Sequence, residues 1–284
     1  MVLQEAARTF FQECKTGHAM RPGVEDPIVE LRDGLVSGST TVSRSLELTE
    51  VPSLAVLEIG CSWGPIVFAA ASFNRVTTVV GVDIEDIALK LGEAVLNSDL
   101  ITQEAARKVE FLNCQVEKLP FADNSFDLIV CHTTIEHVGD VERAIYEMHR
   151  VLKPGGVLHL EAPNYLWPFE PHLAIIMPPL GPKWLVKSIA RFQGKNFHYI
   201  DHLKFVYPGQ IERILRKRNI SYQNLYLKKL ESVLVGGNED RVVGFRRLLP
   251  IIRLIRAMGL GSLAVACAMR LGVYPSIEYR VVKS

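Results

Sequence analysis

The sequence predicts an α/β chain built on a mostly parallel sheet, and three observations carry that prediction. Residues 56–59 are an apolar run holding one acid, Glu58, and they lead directly into the small-residue turn Gly60-Cys61-Ser62-Trp63-Gly64. A second, β-branched run at 77–82 ends on another acid, Asp83, about twenty residues past that turn. Two more apolar runs, 109–112 and 126–131, are followed by Gln115-Val116-Glu117 and by His132. Continuous apolar runs of this length suit strands buried on both faces, and their ends deliver polar side chains to one sheet edge.

The elements follow in order. Residues 1–50 are mixed and broken by Pro22, Gly23, Pro27, Gly34 and Gly38. The glycine turn has to reverse sharply and let a ligand lie against backbone with no Cβ in the way. Pro65 then opens a helix over Ile66, Val67, Phe68 and the alanines behind them. Over 84–97, Ile87, Leu91 and Val95 recur at helical spacing with charges between, which predicts a helix covering one sheet face. Asp140 is the expected N-cap of a helix carrying Ala144, Ile145, Met148, Val151 and Leu152. Lys153-Pro154-Gly155-Gly156 should end that helix and turn the chain into a strand at 157–162. A helix at 207–218 and strands at 221–227 and 276–282 complete the reading. What remains, about 163–206 and 228–275, is far longer than ordinary connections and reads as two insertions.

Five stretches together resemble a known family. They are Glu58-Ile59-Gly60-Cys61-Ser62-Trp63-Gly64; Gly81-Val82-Asp83; Leu119-Pro120-Phe121 with Asp123-Asn124-Ser125-Phe126-Asp127-Leu128-Ile129-Val130; Glu136-His137-Val138; and Arg150-Val151-Leu152-Lys153-Pro154-Gly155-Gly156. They look like the motifs of class I S-adenosylmethionine-dependent methyltransferases, in the broad group that includes the quinone and sterol methyltransferases, over about residues 54–164. The resemblance implies an α/β, Rossmann-like seven-stranded methyltransferase sheet, mostly parallel with the last strand antiparallel. It implies a domain at 51–284 with helical insertions over the active site, and residues 1–50 as a cap over the cofactor. S-adenosylmethionine would be the methyl donor and S-adenosylhomocysteine the product. Glu58, Gly60, Ser62 and Gly64 would hold the methionine end, Asp83 the ribose, and Ile84 the adenine face. Gln115, Val116 and Glu117 would flank adenine, while His132 and Thr133 would lead into the active centre. Three departures stand out: Ser62 where glycine is usual, Trp63 where a small residue is usual, and Gln115 where aspartate is frequent. A glutamine carbonyl can still accept from the adenine amino group.

Composition narrows the partners. A formal charge of +1 over 284 residues, with no basic tail, argues against a general nucleic-acid binder. Cys14, Cys61, Cys114, Cys131 and Cys267 form no C-x-x-C pair, so neither a disulfide scaffold nor a zinc ribbon is expected and a reducing compartment fits. Residues 1–11 contain Glu5 and Arg8 and no long apolar core, so no standard secretory signal is read there and a cytoplasmic location is expected.

Methyl transfer from a sulfonium is an in-line displacement, so a protein mainly aligns donor and acceptor in a dry pocket. An oxygen acceptor must also lose a proton, and histidine, with an unperturbed pKa of about 6.5, suits that task. His137 and His172 are the candidates. His172 lies in a stretch, 163–172, dense in proline and aromatic residues and carrying Glu170; it resembles a loop of methyltransferases found with polysaccharide and glycolipid pathways. His198 and His202, with Asp201 beside them, have a spacing that on an α-helix can bind a metal, but no third partner is evident and no metal is expected.

The second insertion is basic and oily. Residues 241–277 contain no acid, while Arg241, Arg246, Arg247, Arg253, Arg256 and Arg270 punctuate aliphatic residues and a charge-free run at 257–269. That run is shorter than the ~20 residues a bilayer span needs. Two readings of 241–271 stand: peripheral contact with an anionic membrane face, or helices burying their oily sides on the domain or on a second subunit. The expected function is methylation, most directly at oxygen, of a small-molecule, sugar or lipid-linked acceptor. A catalytically inactive S-adenosylmethionine-binding scaffold is the alternative that the three departures motivate. A nicotinamide-dependent dehydrogenase is disfavoured, because the turn lacks the G-x-G-x-x-G spacing.

Overall fold

The computed structural model describes residues 2–13, 26–238 and 249–284. Cys14, Pro22, Gly23 and the part of the basic, oily stretch at 241–248 lie outside the described residues. Helices α1 (Val2–Glu13) and α2 (Pro27–Leu46) precede β1 (Leu54–Ile59), α3 (Pro65–Ala71), β2 (Val76–Asp83), α4 (Asp86–Leu96) and α5 (Gln103–Ala106). Next come β3 (Val109–Asn113), β4 (Phe126–His132), α6 (Val141–Val151) and β5 (Leu152–Pro163). The chain continues through β6 (Phe169–Glu170), β7 (Ile175–Ile176), α7 (Lys183–Phe192), α8 (Pro208–Lys217), β8 (Ser221–Asn224) and α9 (Leu225–Leu234). It closes with α10 (Leu249–Ala257), α11 (Gly261–Leu271) and β9 (Ser276–Val282).

Seven strands form one mixed sheet in the order β3-β2-β1-β4-β5-β9-β8, and β6 with β7 makes a separate two-stranded ribbon. This is the expected seven-stranded methyltransferase arrangement. β1 runs parallel to both β2 and β4, with Glu58 opposite Gly81 on one side and Val130 on the other. Because the chain leaves β1 in one direction and returns on its other side, the carboxyl ends of β1, β2 and β4 frame a crevice.

The chain divides into two compact units. Unit 1 is 1–160 with 201–204 and 281–284; unit 2 is 161–200 with 205–280. In unit 1 one buried cluster joins Val56, Val67, Val79, Leu128 and Val130. Another joins Phe10 and Leu31 of the N-terminal helices to Trp63, Phe68 and Leu91. In unit 2 the Tyr279 hydroxyl donates to Glu212 Oε1 at 2.8 Å, and Asn164 Nδ2 donates to the carbonyls of Gly272 and Tyr274 at 2.7 and 2.6 Å. Among the described residues no single helix is long and apolar enough to cross a bilayer; α10 and α11 reach that length only as a pair bent by 117°.

Three expectations about elements need correction. Gly34 and Gly38 do not interrupt the N-terminal segment: α2 starts at Asp26, whose carboxylate accepts from Ile28 N at 2.9 Å with Pro27 in the first turn, and runs through both glycines. Each glycine lets another part of unit 1 approach closely, since an added Cβ would collide with the Trp63 indole at Gly34 and with the Pro65 carbonyl at Gly38. Lys153-Pro154-Gly155-Gly156 is not a free turn either, because Gly155 N donates to Lys283 O at 2.7 Å and Lys283 N to Gly156 O at 3.2 Å, drawing the segment into β5. Lastly, the strand expected at 221–227 stops at Asn224. Its side chain accepts from Leu227 N at 3.0 Å and so caps α9, which buries Tyr226, Val233 and Leu234 at helical spacing.

Candidate active site

The crevice of unit 1 is shaped by the turn after β1. Gly60 and Gly64 have φ of +71° and +90°, values glycine adopts without steric cost, and a Cβ on Gly60 would also strike Thr134. Ser62 adopts φ +50°, which costs a non-glycine residue on the order of 1 kcal/mol. What holds it there is Asp83: Ser62 N donates to Asp83 Oδ2 at 2.7 Å, while Asp83 Oδ1 accepts from Glu85 N at 3.0 Å. Gly60 N and Cys61 N both donate to Val82 O, at 2.8 and 3.0 Å, so the ends of β1 and β2 are fastened together. Each Asp83 oxygen keeps a further lone pair, so the acid can serve the loop and still accept from a ligand hydroxyl.

Glu58 is 4% exposed, and its Oε2, like Ser62 Oγ, is a buried polar atom with no hydrogen-bond partner among the described residues. Burial, and then the charge of Asp83, push its carboxyl well above the ordinary carboxylate range, against a hydrogen bond from the Val67 backbone. An unsatisfied buried carboxyl and hydroxyl beside a left-handed turn fit a ligand that brings its own donors and positive charge, as the ammonium and sulfonium of S-adenosylmethionine do.

Trp63 does not plug this space. Its indole is 6% exposed, packed between α2 and α3 with Phe68 at 6.4 Å between ring centroids, and it forms part of the wall. A crevice of ≈ 370 Å³ is lined by Glu30, Asp33, Ser37 and Thr41 of α2 together with Trp63, Pro65, Ile66 and His132; Glu58, Ser62 and Asp83 are not part of that lining. The α2 residues recur every three or four positions, a one-sided polar stripe flanked by Gly34 and Gly38 that the sequence contained but the reading above did not single out. Thr134 is a second residue it missed: its hydroxyl lies 3.0 Å from Ile59 O and 3.1 Å from His132 O, pinning the end of β4 to the end of β1.

The remaining cofactor candidates divide. Ile84 is 64% exposed at the end of β2, as a shelf for a flat apolar group would be. His132 is half-buried and Thr133 is exposed with φ +51°, a strained value for a β-branched residue. Gln115 is exposed and Val116 buried. The Glu117 carboxylate already has a structural task, since Oε1 accepts from Gly139 N and Asp140 N at 2.7 and 3.1 Å just ahead of α6. Cys61 and Cys131 are buried, and burial drives both thiols upward, so they pack rather than react.

His137 is exposed in unit 1, with its backbone N donating to Thr134 O at 2.8 Å. His172 is in unit 2, where Nδ1 lies 2.6 Å from Oε1 of the fully buried Glu170. That carboxylate also accepts from His172 N at 3.1 Å and Leu173 N at 2.6 Å, and the Tyr199 ring lies 5.4 Å from the imidazole. A carboxylate can only accept, so it places the imidazole proton on Nδ1. The metal spacing of His198 and His202 fails locally: 197–202 is a 3₁₀ helix, in which residues four apart point about 120° away from each other.

A methyltransferase domain family matches residues 57–160, the stretch from β1 into β5. The demethylmenaquinone methyltransferase of Lactococcus lactis subsp. lactis is 31% identical over 160 residues, 54% of this chain and 60% of that protein. The ubiquinone/menaquinone biosynthesis C-methyltransferase UbiE of Klebsiella pneumoniae is 40% identical over 171 residues, 55% and 64% respectively. The chain therefore spans about three fifths of the length of these curated relatives. A crystal structure from Galdieria sulphuraria, titled as a candidate sarcosine dimethylglycine methyltransferase, covers 99% of this chain and 98% of its own with a TM-score of 0.54 at 15% identity. The [4+2]-cyclase SpnF covers 86% and 80% with a TM-score of 0.51 at 16% identity. At those identities the two structures speak for the fold alone.

Proposed function

Through residues 57–160 the chain belongs to the class I S-adenosylmethionine-dependent methyltransferases, and from that premise we propose that it transfers a methyl group from S-adenosylmethionine to a small-molecule or lipid-linked acceptor. The observation that carries the proposal is the buried Glu58 carboxyl with an unpartnered oxygen at the mouth of the glycine turn. When bound, the donor supplies an electrophilic methyl on a cationic sulfur. Glu58, the Gly60 to Gly64 backbone and Ser62 Oγ would hold its amino-acid end, Asp83 its ribose hydroxyls and Ile84 its base. Glu30 and Asp33 line a crevice that reaches Trp63 and His132.

The acceptor's share is proton removal. An oxygen acceptor, the sequence-based expectation, loses a proton directly; a carbon acceptor of the kind in the relatives' name is activated by losing one too. The base in this reading is His172, with Glu170 fixing its tautomer. A peripheral position at a membrane, through 241–271, would suit a lipid-linked acceptor.

Calorimetry with S-adenosylmethionine, beside NAD as control, followed by incubation with labelled donor and fractionated cell lipids and solutes, tests the proposal. Donor binding together with label entering one fraction is expected, and NMR of the labelled product tells oxygen from carbon. His172→Ala should keep donor affinity while losing about a hundredfold or more in turnover. Donor binding without turnover on any fraction would leave the inactive-scaffold reading in its place.

A further inference from the structure

Trp63 is the residue of the glycine turn to which the donor reading gives no task. The turn is closed by Gly64 N donating to Cys61 O at 2.8 Å, which puts Ser62 and Trp63 at its two central positions. Ser62 is kept in its left-handed conformation by the bond from its N to Asp83 Oδ2 at 2.7 Å, and Gly64 follows at φ +90°. The backbone on both sides of Trp63 is therefore constrained, while its side chain is packed in one buried cluster with Ala7 and Phe10 of α1, Leu31 of α2 and Leu91 of α4. Two helices make room for this residue. A Cβ on Gly34 of α2 would run into Cζ2 and Cη2, the outer atoms of the indole, and one on Gly92 of α4 would press on the Trp63 carbonyl at 3.0 Å. Glycine inside a helix costs stability, so α2 and α4 give up helical preference at the positions that lie against Trp63.

We propose that Trp63 is a positioning residue that couples the N-terminal helices to the donor turn: donor affinity depends on how α2 seats the indole, and bound donor in return holds α1 in place. The path is short. Displacing the indole from α2 moves the Trp63 backbone, and with it Ser62 N relative to Asp83, the acid assigned to the donor's ribose. Close packing transmits the displacement, because the cluster around the indole has no free space to absorb it. Coupling of this kind is reciprocal in free energy, so whatever the seating of α2 contributes to donor binding, donor contributes to the docking of the helices. α1 supplies none of the residues assigned to the donor, which makes it a reporter of that coupling. The inference rests on the methyl-donor reading of the glycine turn and adds to it a residue that acts through the backbone of its neighbours.

The test is a double-mutant cycle read by calorimetry with S-adenosylmethionine. Phenylalanine is shorter than tryptophan and has no atoms at Cζ2 or Cη2, so a Cβ at position 34 fits beside it. Gly34→Ala should weaken donor binding about tenfold in the parent and less than about twofold in a Trp63→Phe background. Gly38→Ala is the control: its Cβ would strike the Pro65 carbonyl and not the indole, so its effect should be the same in both backgrounds. A second measurement needs no substitution. Saturating donor should slow amide hydrogen exchange in α1 of the unmodified chain severalfold, and that slowing should vanish in Trp63→Ala at donor concentrations that still saturate it. Each of four results would overturn the proposal: Gly34→Ala that lowers thermal stability and leaves the donor dissociation constant unchanged, equal loss in both backgrounds, rescue of Gly38→Ala by Trp63→Phe, or exchange in α1 that ignores bound donor. An unmodified chain that binds no donor would remove the methyl-transfer reading and this inference with it, whereas one that binds donor and gives any of the four would remove this inference alone.

Discussion

Glu58 is a buried carboxyl with an unpartnered oxygen, an arrangement that opposes the stability of the free protein and would favour a cationic ligand. Its carboxyl is raised first by burial and then by Asp83, so the fold prefers the neutral acid. A raised value means that the stability it lends is fully present below the ordinary carboxylate range and is lost as pH rises through the raised value. A cationic ligand prefers the ionised form and draws the proton off. Donor affinity should therefore climb with pH until it passes the raised value, and calorimetry in two buffers of different ionisation enthalpy should detect a proton released on binding. Glu58→Gln should flatten that climb and weaken donor binding about tenfold or more at its upper end. In chemical denaturation at neutral pH the same variant should be at least as stable as the parent. A variant that loses stability and affinity together would mean that Glu58 is structural.

Elements were legible wherever local chemistry decides them. The apolar runs of β1 to β4, Asp140 as the cap of α6 and the glycine turn all follow from propensity and pattern, and the structure has each of them. What sequence could not supply was which distant element a residue meets. Gly34 reads as a helix breaker until the Trp63 indole is seen against it, about thirty positions away. Trp63 reads as an intruder in a small-residue loop until it is found closing the cluster beneath α2. Arg150 stood out only through a family motif, and the structure gives it a task. From α6 it donates to Leu119 O, Phe121 O and Asp123 Oδ1 at 3.0, 2.8 and 2.8 Å, and to both oxygens of Glu147 at 3.1 and 2.9 Å. Glu147 is 4% exposed and Arg150 20%, and the guanidinium holds that carboxyl below its ordinary value. Arg150→Met should cost about 3 kcal/mol in urea denaturation, because it leaves the buried Glu147 carboxylate with only Leu119 N at 3.1 Å and Arg143 at 3.4 Å and frees the 119–123 segment. Restoring neutrality with Glu147→Gln in addition should recover part of the loss. In the parent this contribution is full above the ordinary carboxylate range and fades as pH falls through the lowered value, so the single variant should lack that loss on the acid side.

At the scale of the whole chain, composition averaged away its most telling property. A formal +1 suggests a protein indifferent to charge, yet the unit holding the crevice carries 15 Lys and Arg against 24 Asp and Glu, a balance of −9, and the unit holding α10 and α11 carries 17 against 7, a balance of +10. The boundary between them follows from packing, which no count of residues reveals. Its consequence for the crevice can be measured through ligand charge. S-adenosylmethionine has a sulfonium, an ammonium and a carboxylate, for a net +1, while S-adenosylhomocysteine has lost the sulfonium charge and is neutral overall. An acidic unit attracts the first over a distance comparable to the Debye length and exerts almost no long-range pull on the second. Raising salt from about 0.02 to about 0.5 M shortens that length from roughly 20 Å to roughly 4 Å. The dissociation constant for the donor should then rise severalfold, while that for the product changes by less than about twofold. If both weaken equally, the charge of unit 1 is serving solubility alone, and donor recognition rests on Glu58 and Asp83 at contact range.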